Sequence, residues 1–201
     1  MATLRSCIFL DQLQPQTMCY LGSWIKGSLP RRNMAAQIIE VAPGLDIEAL
    51  TDIALKAADV RGGILVVERQ FGYLEIHAHD IAAVKAAAER VLAAMEKSPA
   101  DALKPKVLAA RIISRLDPGH AFLINRNKGG SMALAGESLF VLETEPAAHV
   151  ILASNAAEKA ANIKLVDYRM IGATGRLYLS GAESDVKAAA LAAQQALGAS
   201  G

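Results

Sequence analysis

His77 and His79 stand two positions apart with Asp80 close behind, the densest set of metal-ligand side chains in the sequence. At a strand end that spacing lets both imidazoles face one way and hold a metal together with the carboxylate. The second half of the chain carries Leu179-Ser180-Gly181 there, and polar residues at a turn are ordinarily solvated, so no metal is expected. Asn125-Arg126-Asn127-Lys128 offers donors to an anion but reads as a polar loop facing solvent or a subunit. More informative is a pair of matching stretches, Glu68-Arg69-Gln70-Phe71-Gly72 and Ile171-Gly172-Ala173-Thr174-Gly175. One is charged and bulky, the other small and nearly neutral. Loops that diverge between similar flanks point to one geometric position with two tasks. On composition alone, an ordinary surface ion pair between Glu68 and Arg69, worth at most ~1 kcal/mol, explains the first. No GxSxG, HExxH, P-loop or Gly-rich strand-to-helix turn occurs, and no nucleophile stands at a base's spacing. Neither covalent chemistry nor a cofactor is expected.

The elements that carry these stretches occur twice. Lys56-Ala57-Ala58 falls on Lys159-Ala160-Ala161, 103 positions later, and the same offset puts Glu40 on Glu143, Pro43 on Pro146 and Gly72 on Gly175. It reaches back to Leu13 on Leu116 and Gly27-Ser28 on Gly130-Ser131. Repeats this long are domain-sized, not solenoid units. The first copy predicts strands over Leu4–Leu10, Ala36–Val41, Gly63–Glu68 and Tyr73–His77, the last two joined by Arg69-Gln70-Phe71-Gly72. Asp46 is expected to cap a helix with Ile47, Leu50, Ala54 and Ala57 on one face, and Asp80 a second helix through Met95. Residues 16–32 are ambiguous, with a short helix around Met18–Ile25; Trp24, the single tryptophan, reads as a core residue. Glu96–Pro105 breaks both periods, so the domains are expected at 1–97 and 106–201 around a 98–105 linker. The second copy repeats the plan, with Ala121–Asn125 as a short helix or extended piece. The fold class is α+β, helices on an antiparallel sheet.

The chain is 53% hydrophobic with a mean hydropathy of +0.27 but only 4% aromatic. Its Ala-rich helices bury little area per residue, so further apolar surface is expected to be hidden between subunits. A net charge of +1 gives no electrostatic case for nucleic acid or an anionic membrane. Cys7 and Cys19 form no disulfide framework or metal motif and read as reduced thiols of a cytosolic protein. No signal peptide and no membrane span are expected.

Lys-Ala-Ala-x-[Val/Ile] at a helix end, then a strand, a Gly-containing hairpin and an Asp-x-x-Ala-Val-Lys helix start, resembles the bacterial microcompartment shell domain. Lys56–Val60 and Lys159–Ile163 carry the helix end, Met170–Gly175 the pore loop with one extra residue, and Asp80–Lys85 and Ser184–Lys187 the second helix. A strand-plus-turn segment precedes each copy, as in circularly permuted tandem members. Arg5–Pro15 and Glu68-Arg69 most resemble the carboxysome-type tandem shell proteins that form trimers and stack face to face.

The resemblance implies two tandem, permuted ferredoxin-like domains per chain and a homotrimer acting as a flat pseudohexamer in a microcompartment shell in the cytoplasm. Its partners would be further copies of itself, in one trimer or two stacked, and other shell proteins. Small metabolites would cross its central pore. Glu68 and Arg69 match a Glu-Arg pair that gated members swing into or out of that pore. Gln70 belongs to the same loop, and Phe71, Gly72, Ile171, Gly172, Ala173 and Thr174 would line or back the opening. Lys56 and Lys159 match the edge lysine that packs against a neighbouring tile. The rival readings are a trimeric small-molecule-binding regulator of ferredoxin-like fold, using Arg69 or Arg126, and a small interface enzyme.

Overall fold

The computed structural model describes residues 2–198. In chain order the first half runs β1 (Thr3–Leu10), α1 (Pro15–Trp24), β2 (Ala35–Ala42), α2 (Asp46–Ala57), β3 (Arg61–Glu68), β4 (Phe71–Ala78) and α3 (Ile81–Ala94). The second runs β5 (Lys106–Ile113), α4 (Pro118–Asn125), β6 (Ser138–Glu145), α5 (His149–Ala160), β7 (Lys164–Arg169), β8 (Gly175–Gly181) and α6 (Glu183–Ala196). Each half builds one four-stranded antiparallel sheet, ordered β1-β2-β4-β3 and β5-β6-β8-β7.

The duplication is legible in the backbone. Register shifts at Leu4/Ser6 and Gly62/Ile64 recur at Val107/Ala109 and Leu165/Asp167, the same repeat positions. The cis bonds Ala42–Pro43 and Glu145–Pro146 also correspond.

In the first sheet β2 and β4 are central and buried along nearly their whole length. One face packs under α2 and α3 through Ile39, Val41, Leu74 and Ile76. From the helices come Ile47, Leu50, Ala54, Val84, Ala87 and Val91, an apolar stripe on each. Asp80 starts α3 as expected, its Oδ1 accepting from Ala82 N at 2.8 Å. Asp46 does not cap α2. Leu45 already has helical dihedrals, so Asp46 lies in the first turn, where its charge meets the dipole instead of an orphan N–H. Ala57 is exposed and Thr51 takes the buried place on that face.

Two compact units result, but not by a cut at the linker. One comprises residues up to Leu13 together with Trp24–Lys104, the other Gln14–Ser23 together with residues from Pro105 on. The helix α1 therefore folds with the second unit, not within the expected 1–97. Residues 98–105 are structured too. Ser98 and Asp101 close a capping box on a 3-10 turn, Pro99–Asp101, and Leu103 N donates to the Arg5 carbonyl at 3.2 Å. The ambiguous Ala121–Asn125 stretch lies in α4, begun by Asp117, whose carboxylate accepts from the N–H groups of Gly119 and His120. Trp24 is half-buried, not a core residue.

Candidate functional site

The hairpin between β3 and β4 is tighter than the sequence implies. Val67 pairs with Gly72 and Glu68 with Phe71, so the connection is only Arg69-Gln70. Arg69 sits at φ +54°, the left-handed region that costs a side-chain-bearing residue about 1 kcal/mol or more. That turn projects Arg69 and Gln70 into solvent. Arg69 Nε lies 3.7 Å from Glu68 Oε1, an ion pair too long to be a hydrogen bond.

Beneath this free tip the floor is fixed. Glu40 on β2 is fully buried and accepts from Arg5 Nε at 2.8 Å, Ser6 Oγ at 2.9 Å and Tyr73 OH at 3.3 Å. A carboxylate out of water costs several kcal/mol unless so matched. The Arg5 guanidinium also lies 4.0 Å from the centroid of the buried Phe71 ring. Gly72 is buried because the turn after β2 crosses it closely. A Cβ there would collide with the Gly44 carbonyl. Phe71 and Gly72 thus back the loop, and neither is open to solvent.

The hairpin between β7 and β8 stops pairing at Arg169 and Arg176, and Met170–Thr174 spans the gap. Met170 is buried, Ile171, Gly172 and Thr174 are half-buried, and Ala173 is exposed. Gly172 adopts φ +132°, open to glycine and strained for other residues. Glu143, the counterpart of Glu40, holds this loop: Thr174 Oγ1 donates to its Oε1 at 2.8 Å, and Arg176 Nε approaches the same oxygen at 3.4 Å. Gly175 repeats the role of Gly72, a Cβ there meeting the Ala147 carbonyl.

Sequence reasoning paired Glu40 with Glu143 but missed that Glu40 fixes the floor under one loop and Glu143 ties the other; their shared offset was the available signal. Lys56 and Lys159 are exposed at matching last turns of α2 and α5, with Lys56 Nζ 2.6 Å from Asp52 Oδ2. The histidines diverge. His77 is buried with Nδ1 3.0 Å from Glu75 Oε1, while His79 is exposed. Burial pushes the Glu75 carboxyl above its ordinary range, against the pull of His77. Among the described residues no three His, Cys, Asp or Glu side chains cluster as metal ligands, and no helix is long and apolar enough to cross a membrane.

Residues 4–101 match the CsoS1D N-terminal domain family and residues 138–201 the BMC domain family. The carboxysome shell protein CcmP of Synechococcus elongatus is 45% identical over 194 residues, covering 96% of this chain and 91% of the relative. The carboxysome shell protein CsoS1D of Hydrogenovibrio crunogenus is 45% identical over 98% of this chain and 97% of its own length. This chain belongs to the bacterial microcompartment shell proteins. Its backbone agrees: the fused permuted hexameric shell protein MSM0275 from the RMM microcompartment superposes with a TM-score of 0.95 at 68% identity, covering 97% of this chain and 96% of that one. The double ringed trimeric shell protein MSM0271 does so at 0.95 and 40% identity, covering 98% and 97%. As a microcompartment shell protein it is a structural component, not an enzyme, and it carries two tandem units of this fold.

Proposed function

We propose that three copies of this shell protein close a ring of six units, a pseudohexameric tile whose central pore passes small metabolites. Two unlike units fill a six-fold ring only in alternation, so three chains are needed. The β3–β4 and β7–β8 loops would then alternate around the axis. The fused permuted hexameric form named for MSM0275 and the double ringed trimeric form named for MSM0271 support this stoichiometry, and the latter supports a stacked pair of trimers. Other shell proteins would abut at edges carrying Lys56 and Lys159.

The observation that carries the reading is the contrast at one repeat position: an exposed Glu68-Arg69 tip on a locked floor, against a small neutral loop. Three arginines converging on an axis repel, so a closed state needs Glu68 carboxylates close by; an open state leaves each pair to its own chain. A loose exposed pair lets both arrangements lie close in energy, and a two-residue turn makes the moving part small. Arg69→Ala should hold the pore open while native mass spectrometry still finds three or six chains. Cryo-electron microscopy of the assembled tile reads the pore width. Dissociation of the ring would instead make Arg69 a subunit-interface residue.

A further inference from the structure

The helices α1 and α4 occupy corresponding places in the repeat, and α4 packs Ala121 and Ile124 into the core of its own unit. Yet only α1 also meets a helix–strand seat. Glu158 accepts the N–H groups of Gln16 and Thr17 at 2.7 and 2.9 Å and the Thr17 hydroxyl at 3.0 Å, capping α1 from outside. The Gln16 side chain bridges Ile163 O and Leu165 N, both at 2.8 Å. One turn on, the Tyr20 ring lies 4.3 Å from that of Tyr168, and its hydroxyl donates to Asp167. The seat is the C-terminal half of α5 with β7, and it combines hydrogen bonds with one aromatic contact.

In α4 the counterpart of Tyr20 is Leu123, which is 62% exposed, beside Phe122 at 61%. The seat corresponding to that of α1 lies on α2 and β3. There Glu158 becomes Leu55 and Tyr168 becomes Leu65, each 43% exposed. The divergence is concerted. A helix that needs a borrowed cap faces a glutamate. The one carrying its own cap, Asp117, has a leucine at the corresponding seat position. Tyr against Tyr has become Leu against Leu. Within a single chain both apolar halves stay open to water.

We propose that α4 of one copy seats on the α2–β3 face of the first unit of a second copy, Leu123 against Leu65 and the start of α4 over Leu55. The occupant is a second copy because this chain carries both halves of the contact and, in α1, the geometry that joins them. The contact is head-to-tail, so repetition closes a ring or extends without limit. The proposal rests on the ring of three chains, which it equips with a specific seam.

Chains with Cys7 and Cys19 replaced by serine and carrying either Leu123→Cys or Leu65→Cys are co-expressed and treated with a short bifunctional maleimide. A covalent dimer joining the two differently substituted chains is expected, together with a native mass of three or six chains. No cross-link in assemblies that keep that mass overturns the seating of α4 and leaves the ring standing. A monomeric mass overturns both. A chain bearing both cysteines that links only internally also overturns it, because α4 would then seat within its own chain.

Discussion

Val66–Tyr73 and Arg169–Arg176 are the same pair of repeat positions, and up to that rung the two hairpins pair identically. Beyond it the first ladder continues for two pairs and closes on Arg69-Gln70, whereas the second stops and lets Met170–Thr174 arch across. What the copies retain is what the backbone cannot give up: Gly72 and Gly175, each pressed under a carbonyl of the turn after the preceding central strand. A buried or partly buried glutamate on that strand persists as well. What they exchanged is the tip. The first became a charged, strained turn on a sealed floor, the second a neutral arch tied by one threonine. Duplication inside one chain thus allows two kinds of loop in one ring, which identical subunits would forbid.

The largest difference should appear in the floors. Glu40→Gln leaves the Arg5 guanidinium, 12% exposed, without a countercharge and should cost about 3 kcal/mol or more. Glu143→Gln faces the more exposed Arg176 and should cost under ~1 kcal/mol. Urea denaturation midpoints compare them, and equal losses would remove the distinction between sealed and open floors.

The turns under the loops differ next. His149 opens α5 where the first copy has Asp46, and its burial holds its pKa down to about 4. The helix N-terminus opposes its protonation as well. Because the folded value lies below the ordinary 6.5, the unfolded chain binds the proton first. The contribution is complete above about pH 6.5 and is lost as pH falls toward 4, about 1 kcal/mol of it by pH 5.5. A His149→Gln variant should lose less stability than the parent between pH 7.5 and 5.5 in thermal melts; parallel pH profiles would refute the assignment.

At the tips the difference is one of backbone strain. Gly172→Ala meets no atom but must adopt φ +132°, so it should cost about 1–2 kcal/mol. Arg69→Gly relieves a left-handed residue and should be neutral or stabilising by up to ~1 kcal/mol. If both destabilise alike, the first turn is not strained.

Much of this architecture could be read from the chain. The offset of Lys56-Ala57-Ala58 from Lys159-Ala160-Ala161 disclosed the duplication, Asp80 announced α3, and Val84, Ala87 and Val91 marked its inner face. Such signals are local: a period or a cap acts over a few residues, and the order of amino acids states it. Three features lay beyond that reach. Phe71 and Gly72 read as turn residues until cross-strand pairing claimed them. Glu40 was a repeat marker until Arg5 and Ser6, 35 and 34 positions away, were seen to neutralise it. The helix α1 belonged by sequence to the first copy, yet Glu158 caps it across 141 and 142 positions. Sequence by itself determined the elements, their repetition and the family. Tertiary structure alone decided which buried charge meets which donor and which helix finds its seat. Those choices depend on groups that become neighbours only when the chain has folded.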